Sequence, residues 1–195
     1  MHIYIKQHKQ IKTSQINMKT KDILIALFAV LIISSIAYLW MAPSGAQKAP
    51  DVNLQLIDGK KLQLSSLKGK PVLITFWATS CPGCIKEMPH LVELYHELHT
   101  KGLEIIGIAM PYDRPDYVME MVKRKNLPYP IALDLKGEAI RAFGNVSLTP
   151  TTFLIDDKGQ IIKKKIGEMK IDVWKKRIEL ILNQKLNKKS DNQNS

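Results

Sequence analysis

The run Pro71-Val72-Leu73-Ile74-Thr75-Phe76-Trp77-Ala78-Thr79-Ser80-Cys81-Pro82-Gly83-Cys84 decides the fold. Pro71 to Trp77 is a stretch of large apolar and β-branched side chains, which predicts a buried strand. Ile85 to His99 has helical composition. Cys81 and Cys84 therefore fall where a strand hands over to a helix N-terminus. The first turn of a helix has unpaired backbone N–H groups and the positive end of the helix dipole. A thiolate placed there is stabilised, and thiol pKa values in such motifs fall to roughly 3.5–7.5. The chain has no other cysteine, so no wider disulfide framework needs explaining. A purely structural bridge over so short a loop would stabilise little.

The flanking sequence extends this strand and helix into a domain. Ala42 to Pro50 carries Pro43, Ser44, Gly45 and Pro50 and reads as a linker. Asn53–Leu56 and Lys61–Leu64 alternate apolar and polar residues around Asp58-Gly59, a hairpin signal. A helix over Cys84–Thr100 is expected to stop at Lys101-Gly102. Leu103–Met110 is a second apolar strand, and Asp113–Lys125 reads as a helix. Leu127–Leu133 reads as extended, and Glu138–Phe143 as a short helix. Thr151–Ile155 and Gln160–Ile166 form another hairpin across Asp156-Asp157-Lys158-Gly159. Ile171–Leu182 is a terminal helix, and residues 183–195 are expected to be a disordered polar tail. Two buried strands separated by a helix imply a parallel βαβ pair. The expected fold is α/β, a mixed sheet with helices on both faces, over residues 51–182.

Ile23 to Trp40 is an uncharged run of 18 residues, long enough to span a membrane. Lys19 and Lys21 precede it, and no Lys or Arg follows until Lys48. The positive-inside rule places residues 1–22 in the cytoplasm and everything after Trp40 outside. The span is taken as 23–41, with Tyr38 and Trp40 at the outer interface. The run exceeds the ~7–15 residues of a signal h-region, so an uncleaved anchor is favoured over a signal peptide cut near Ser44-Gly45-Ala46. Met18-Lys19-Thr20-Lys21 reads as a complete signal-anchor start. Residues 1–17 are therefore expected to be an upstream extension or a dispensable cytoplasmic tail. The net charge of +11 is spread over both parts of the chain and comes with no basic face interleaved with aromatics. A nucleic-acid partner is not expected. Lys163-Lys164-Lys165 reads as the wet end of a strand.

In combination, several markers resemble the thioredoxin superfamily, and within it the membrane-anchored TlpA/ResA-like thiol-disulfide oxidoreductases. They are Phe76-Trp77-Ala78, Cys81-Pro82-Gly83-Cys84, Glu87, Pro89, and Thr149-Pro150 followed by Thr151-Thr152-Phe153-Leu154-Ile155-Asp156. The resemblance covers about residues 50–182 and implies a thioredoxin fold. It implies that Cys81 is the exposed nucleophile and Cys84 the resolving thiol, with a redox-active disulfide between them. Pro150 would be a cis-proline against the pair, which turns the Thr149 backbone toward a groove where a substrate strand adds. Glu87 would be a buried carboxylate that takes the proton of Cys84. Trp77, Pro82 and Gly83 complete the implied substrate-binding set. The implied partners are a protein thiol or disulfide substrate, of the cytochrome c maturation or copper-site assembly type, and a membrane thiol-disulfide relay protein as electron donor. No cofactor and no metal are expected. Thioredoxin itself carries a buried Asp where this chain has Thr75, which shifts the proton-relay role to Glu87. Ser80 before the first Cys and the order Pro82-Gly83 also depart from thioredoxin, and such residues tune the redox potential.

Three other chemistries bear on the same residues. Cys81, Cys84, His96 and His99 approach a zinc-finger spacing. On a helix His96 lies about 18 Å beyond Cys84, too far for one ion with ligands at ~2–2.3 Å. A peroxidase motif would need Thr where Ala78 stands. Binding of Cu(I) by the thiol pair, as a non-enzymatic chaperone, is the alternative function.

Overall fold

The structure is a computed structural model, and it describes residues 20–41 and 47–191. The basic N-terminus up to residue 19, the Met18 start and most of the predicted linker lie outside the described residues. The chain divides into two units, Met1–Gly45 and Ala46–Ser195. The first contains helix α1, Thr20–Met41. Its apolar part is long and apolar enough to cross a membrane, with a mean hydropathy of 2.0.

The second unit is built on one eight-stranded mixed sheet in the order β1-β8-β7-β4-β5-β6-β2-β3. The strands are β1 (Gln47–Lys48), β2 (Asn53–Leu56), β3 (Lys61–Gln63), β4 (Val72–Trp77), β5 (Glu104–Ala109), β6 (Ile131–Leu133), β7 (Thr151–Ile155) and β8 (Gln160–Ile166). The helices are α2 (Pro82–Leu98), α3 (Pro115–Lys125), α4 (Glu138–Ala142) and α5 (Ile171–Asp191). All six residues of β4 are buried. That strand pairs parallel with β5 and antiparallel with β7, so its near-continuous apolar composition fits a central position.

The two faces of β4 do different work. Ile74 and Phe76 alternate with Thr75 and Trp77, as the period of a strand requires. Phe76 makes edge contacts with Phe143, just after α4, and with Phe153 of β7, at centroid distances of 5.5 and 5.9 Å. Thr75 and Trp77 face the opposite way, toward α2. Helix α2 meets them with Cys84, Met88, Leu91, Leu94 and Leu98, buried at helical spacing. It ends at Leu98, two residues before the predicted Thr100, and the chain turns away through Gly102 at φ 112°, a conformation glycine adopts freely. Helix α5 lies beside α2 and buries Trp174, Ile178 and Leu182 at four-residue intervals.

Several boundaries differ from the sequence reading. Gln47 and Lys48, within the predicted linker, form an edge strand against Ile161 and Gln160. Helix α5 runs to Asp191 through residues expected to be disordered. Lys, Leu, Asn and Gln there lack an apolar face, but a docked helix supplies a nucleus from which further turns propagate. Helix α3 also begins two residues late, at Pro115, whose fixed φ suits a first helical position.

Candidate active site

Cys81 is the N-cap residue of α2, and Pro82 opens the helix. The Cys84 N–H donates to Cys81 Sγ at 3.1 Å. A free helix-terminal donor is thus aimed at the first sulfur, the arrangement that favours a thiolate there. Cys81 and Cys84 are joined as a disulfide. Cys81 keeps 8% of its surface and Cys84 3%, so the predicted nucleophile is the more open of the two but is largely covered in this oxidised form. Pro82 is exposed beside it.

The Thr149–Pro150 bond is cis, and Pro150 packs on the motif. A Cβ built on Gly83 would lie 3.5 Å from Pro150 Cδ and 3.4 Å from Glu168 Cγ. Gly83 therefore lets the proline and the Gly167–Met169 segment close over the cysteine turn. Thr149 is half-buried and lies just outside the β7 ladder, whose first pair is Phe76 with Thr151.

Glu87 sits one turn below Cys84 and is 6% exposed. It is not a solvated helix carboxylate. Its Oε1 accepts the Met169 N–H, and its Oε2 has no hydrogen-bond partner among the described residues. Burial pushes this carboxyl above the usual carboxylate range, against the Met169 hydrogen bond, with the nearby Glu168 charge adding to the rise. Glu87, Cys84, Thr75, Trp77 and Tyr129 line one small cavity between α2 and the sheet, with room for about one water molecule. Tyr129 is held protonated far above its ordinary range by burial, and next by the Glu87 charge.

The sequence matches the Redoxin family model over residues 44–179. The chain belongs to the Redoxin family. It is 42% identical over 123 residues to the thiol-disulfide oxidoreductase ResA of Bacillus thuringiensis subsp. konkukian (strain 97-27), covering 63% of this chain and 69% of that protein. It is 37% identical over 142 residues to ResA of Halalkalibacterium halodurans, covering 72% and 78%. Among solved structures, a thioredoxin-family thiol:disulfide interchange protein from Chlorobium tepidum TLS aligns with a TM-score of 0.64 at 29% identity, over 70% of this chain and 96% of that one. StoA from Bacillus subtilis aligns at 0.58 and 28%, over 66% and 96%. This Redoxin-family protein is a ResA-like member of the thioredoxin superfamily and a thiol-disulfide oxidoreductase.

Within this redoxin domain the residues singled out from the sequence separate into two groups. Cys81, Gly83, Cys84, Glu87 and Pro150 come together around the disulfide, with Thr149 at the rim. Trp77 does not join the exposed set. It is 3% exposed and lies behind the cysteines, with its Nε1 unpartnered by any polar group. Strand alternation turns it inward, into the wall of the cavity. Thr75 reaches the same cavity from the sheet, with its Oγ1 accepting from Thr152 Oγ1 at 3.2 Å. The carboxyl of this redox centre is therefore on the helix side.

Asp113 went unnoticed in the sequence because it reads as the start of α3. It is buried, and it accepts the Thr79 N–H and the Thr79 hydroxyl, both at 2.6 Å. The turn before Cys81 is pinned to the end of β5 by these two bonds. Asp113→Ala leaves the Thr79 amide without its partner and is expected to cost about 1–3 kcal/mol in urea unfolding. The only hint in the sequence is an Asp between two prolines, Pro111 and Pro115, where helix initiation is ambiguous.

Proposed function

We propose that the chain is an extracytoplasmic, membrane-tethered reductant of protein disulfides. The Cys81 thiolate attacks a sulfur of the substrate disulfide and forms a mixed disulfide, and one substrate thiolate leaves. Cys84 gives its proton to the Glu87 carboxylate and, as a thiolate, attacks Cys81 Sγ. The second substrate thiolate leaves, and the pair ends as the Cys81–Cys84 disulfide with Glu87 protonated. Two electrons pass to the substrate, and a membrane thiol-disulfide relay partner returns them. The observation that carries this reading is the unpartnered Glu87 Oε2 in the cavity that Cys84 also lines. A carboxyl whose proton affinity is raised by burial is suited to hold that proton after the pair has closed.

Substrate is proposed to add as an extended segment along Thr149, with Pro82 and Gly83 as the floor. The substrate class is a thiol pair awaiting haem or copper, as in cytochrome c maturation or copper-site assembly. The α1 segment supports a single-pass anchor with the catalytic domain outside, given the lysines that precede it and none directly after. Partner trapping tests the substrate class. Cys84→Ser expressed in the native cell is expected to accumulate mixed disulfides through Cys81 with exported proteins bearing a cysteine pair. Recovery of cytoplasmic proteins alone would contradict it.

A further inference from the structure

The segment Gly167–Met169, between β8 and α5, makes three contacts with the redox centre in three residues. The Gly167 N–H donates to the Pro150 carbonyl at 2.8 Å. The Met169 N–H donates to Glu87 Oε1. Between them, the Glu168 side chain folds back across the cysteine turn, where a Cβ at Gly83 would stand 3.4 Å from its Cγ and 3.5 Å from its Oε1. Its Oε2 takes Lys86 Nζ at 2.8 Å. Lys86 precedes Glu87 in α2, so an acid from the connecting segment and a base from the helix are paired beside the cysteine turn.

We propose that Glu168 is a positioning residue of the redox centre, a second carboxylate whose charge holds the proton on Glu87 while Lys86 moderates it. An exposed ion pair of this kind contributes little to stability, whereas its charges act on a group in a poorly screened site. The titratable groups around Glu87 are His90 on α2, Glu168 on the connecting segment, Tyr129 ahead of β6, and Cys84 when reduced, while Lys86 reaches Glu168 from the exposed side. Tyr129 is neutral, and His90 acts in the direction opposite to Glu168. Glu168 is therefore the acidic neighbour that favours the protonated form.

The inference rests on the proton-acceptor reading of Glu87, and the two are separable by experiment. The full chain in nanodiscs, oxidised and 13C-labelled at glutamate, is titrated by carboxyl NMR, with Glu87 assigned from the signal lost in Glu87→Gln. Glu168→Gln is expected to lower the Glu87 midpoint by about half a pH unit, roughly threefold in proton affinity. Lys86→Met is expected to raise it, and the double variant to fall between. Opposite signs are what a charge effect gives and what loss of packing does not. An unmoved midpoint in Glu168→Gln, or shifts of the same sign in both single variants, overturns the role of Glu168. The alkylation rate of reduced Cys84 against pH is then read in the same variants. If Glu87 shifts and Cys84 does not follow, Glu168 keeps its role and the proton-acceptor reading of Glu87 falls.

Discussion

Cys81→Ser is expected to bring reduction of insulin disulfides to the uncatalysed rate, while Cys84→Ser gives one stoichiometric burst of mixed disulfide and then stops. The asymmetry follows from the helix N-terminus. Cys81 is the N-cap residue and accepts the Cys84 N–H, so the first sulfur is the one stabilised as an anion. It is also the more exposed of the two, the one an incoming disulfide reaches first. Cys84 is covered and can attack only a disulfide already formed on Cys81. Stopped-flow release of substrate thiol reads both outcomes. Full turnover by Cys84→Ser would remove its resolving role.

Glu87→Gln is expected to slow the resolving step by roughly 10²-fold at pH above the raised Glu87 midpoint, where the carboxylate is free to act, the size of a lost general base. Glutamine keeps the shape and can still accept the Met169 N–H, so the loss is specific to the proton. The same substitution is expected to act on stability in the opposite direction. Burial raises the proton affinity of Glu87 in the folded chain above the ordinary value of 4.5. Between that value and the raised one, the folded state binds more protons than the unfolded state. Stability then falls as pH rises through that window. A neutral glutamine has no such loss. Urea unfolding of the oxidised protein should show the two chains alike near pH 4 and Glu87→Gln the more stable at pH 8. Equal stability at both pH values would return Glu87 to a solvated role. A variant that is sturdier and slower is the expected signature of a group retained for chemistry.

The central part of the fold was legible in the sequence because its signals are local. β4 is a run of apolar residues ended by Trp77, and α2 carries its cap, its apolar stripe and its Gly102 stop. The hairpins at Asp58-Gly59 and Asp156 to Gly159 declare themselves by turn chemistry. The errors lie where tertiary contact overrides composition. Gln47 and Lys48 are a strand only because β8 offers an edge. Residues 183–191 are helical only because Trp174, Ile178 and Leu182 have already docked the helix. At the site, cysteine spacing and the Thr149-Pro150 pair were readable, and burial of Glu87 was implied by the family resemblance rather than by its spacing from Cys84. Asp113 and Glu168 were not readable. Asp113 is 34 residues from Thr79, and Glu168 is 82 residues from Lys86. Nothing local marks either as part of a redox centre, since each acquires its partner only when β5 or β8 is placed in the sheet. Core packing and substrate contact both stay open for Trp77 in the sequence for a related reason, because the alternation of β4 does not reveal which face the cysteine turn covers.

The proposed function requires a thiol pair that works in reduced form on the outer side of the membrane. A membrane-impermeant maleimide applied to intact cells or spheroplasts, without added reductant, tests both halves at once. Cys81 is expected to be labelled to nearly the same extent as in lysed cells. Labelling that appears only after lysis would place the domain in the cytoplasm, and labelling that appears only after a reductant would make the pair an oxidant, either of which contradicts it.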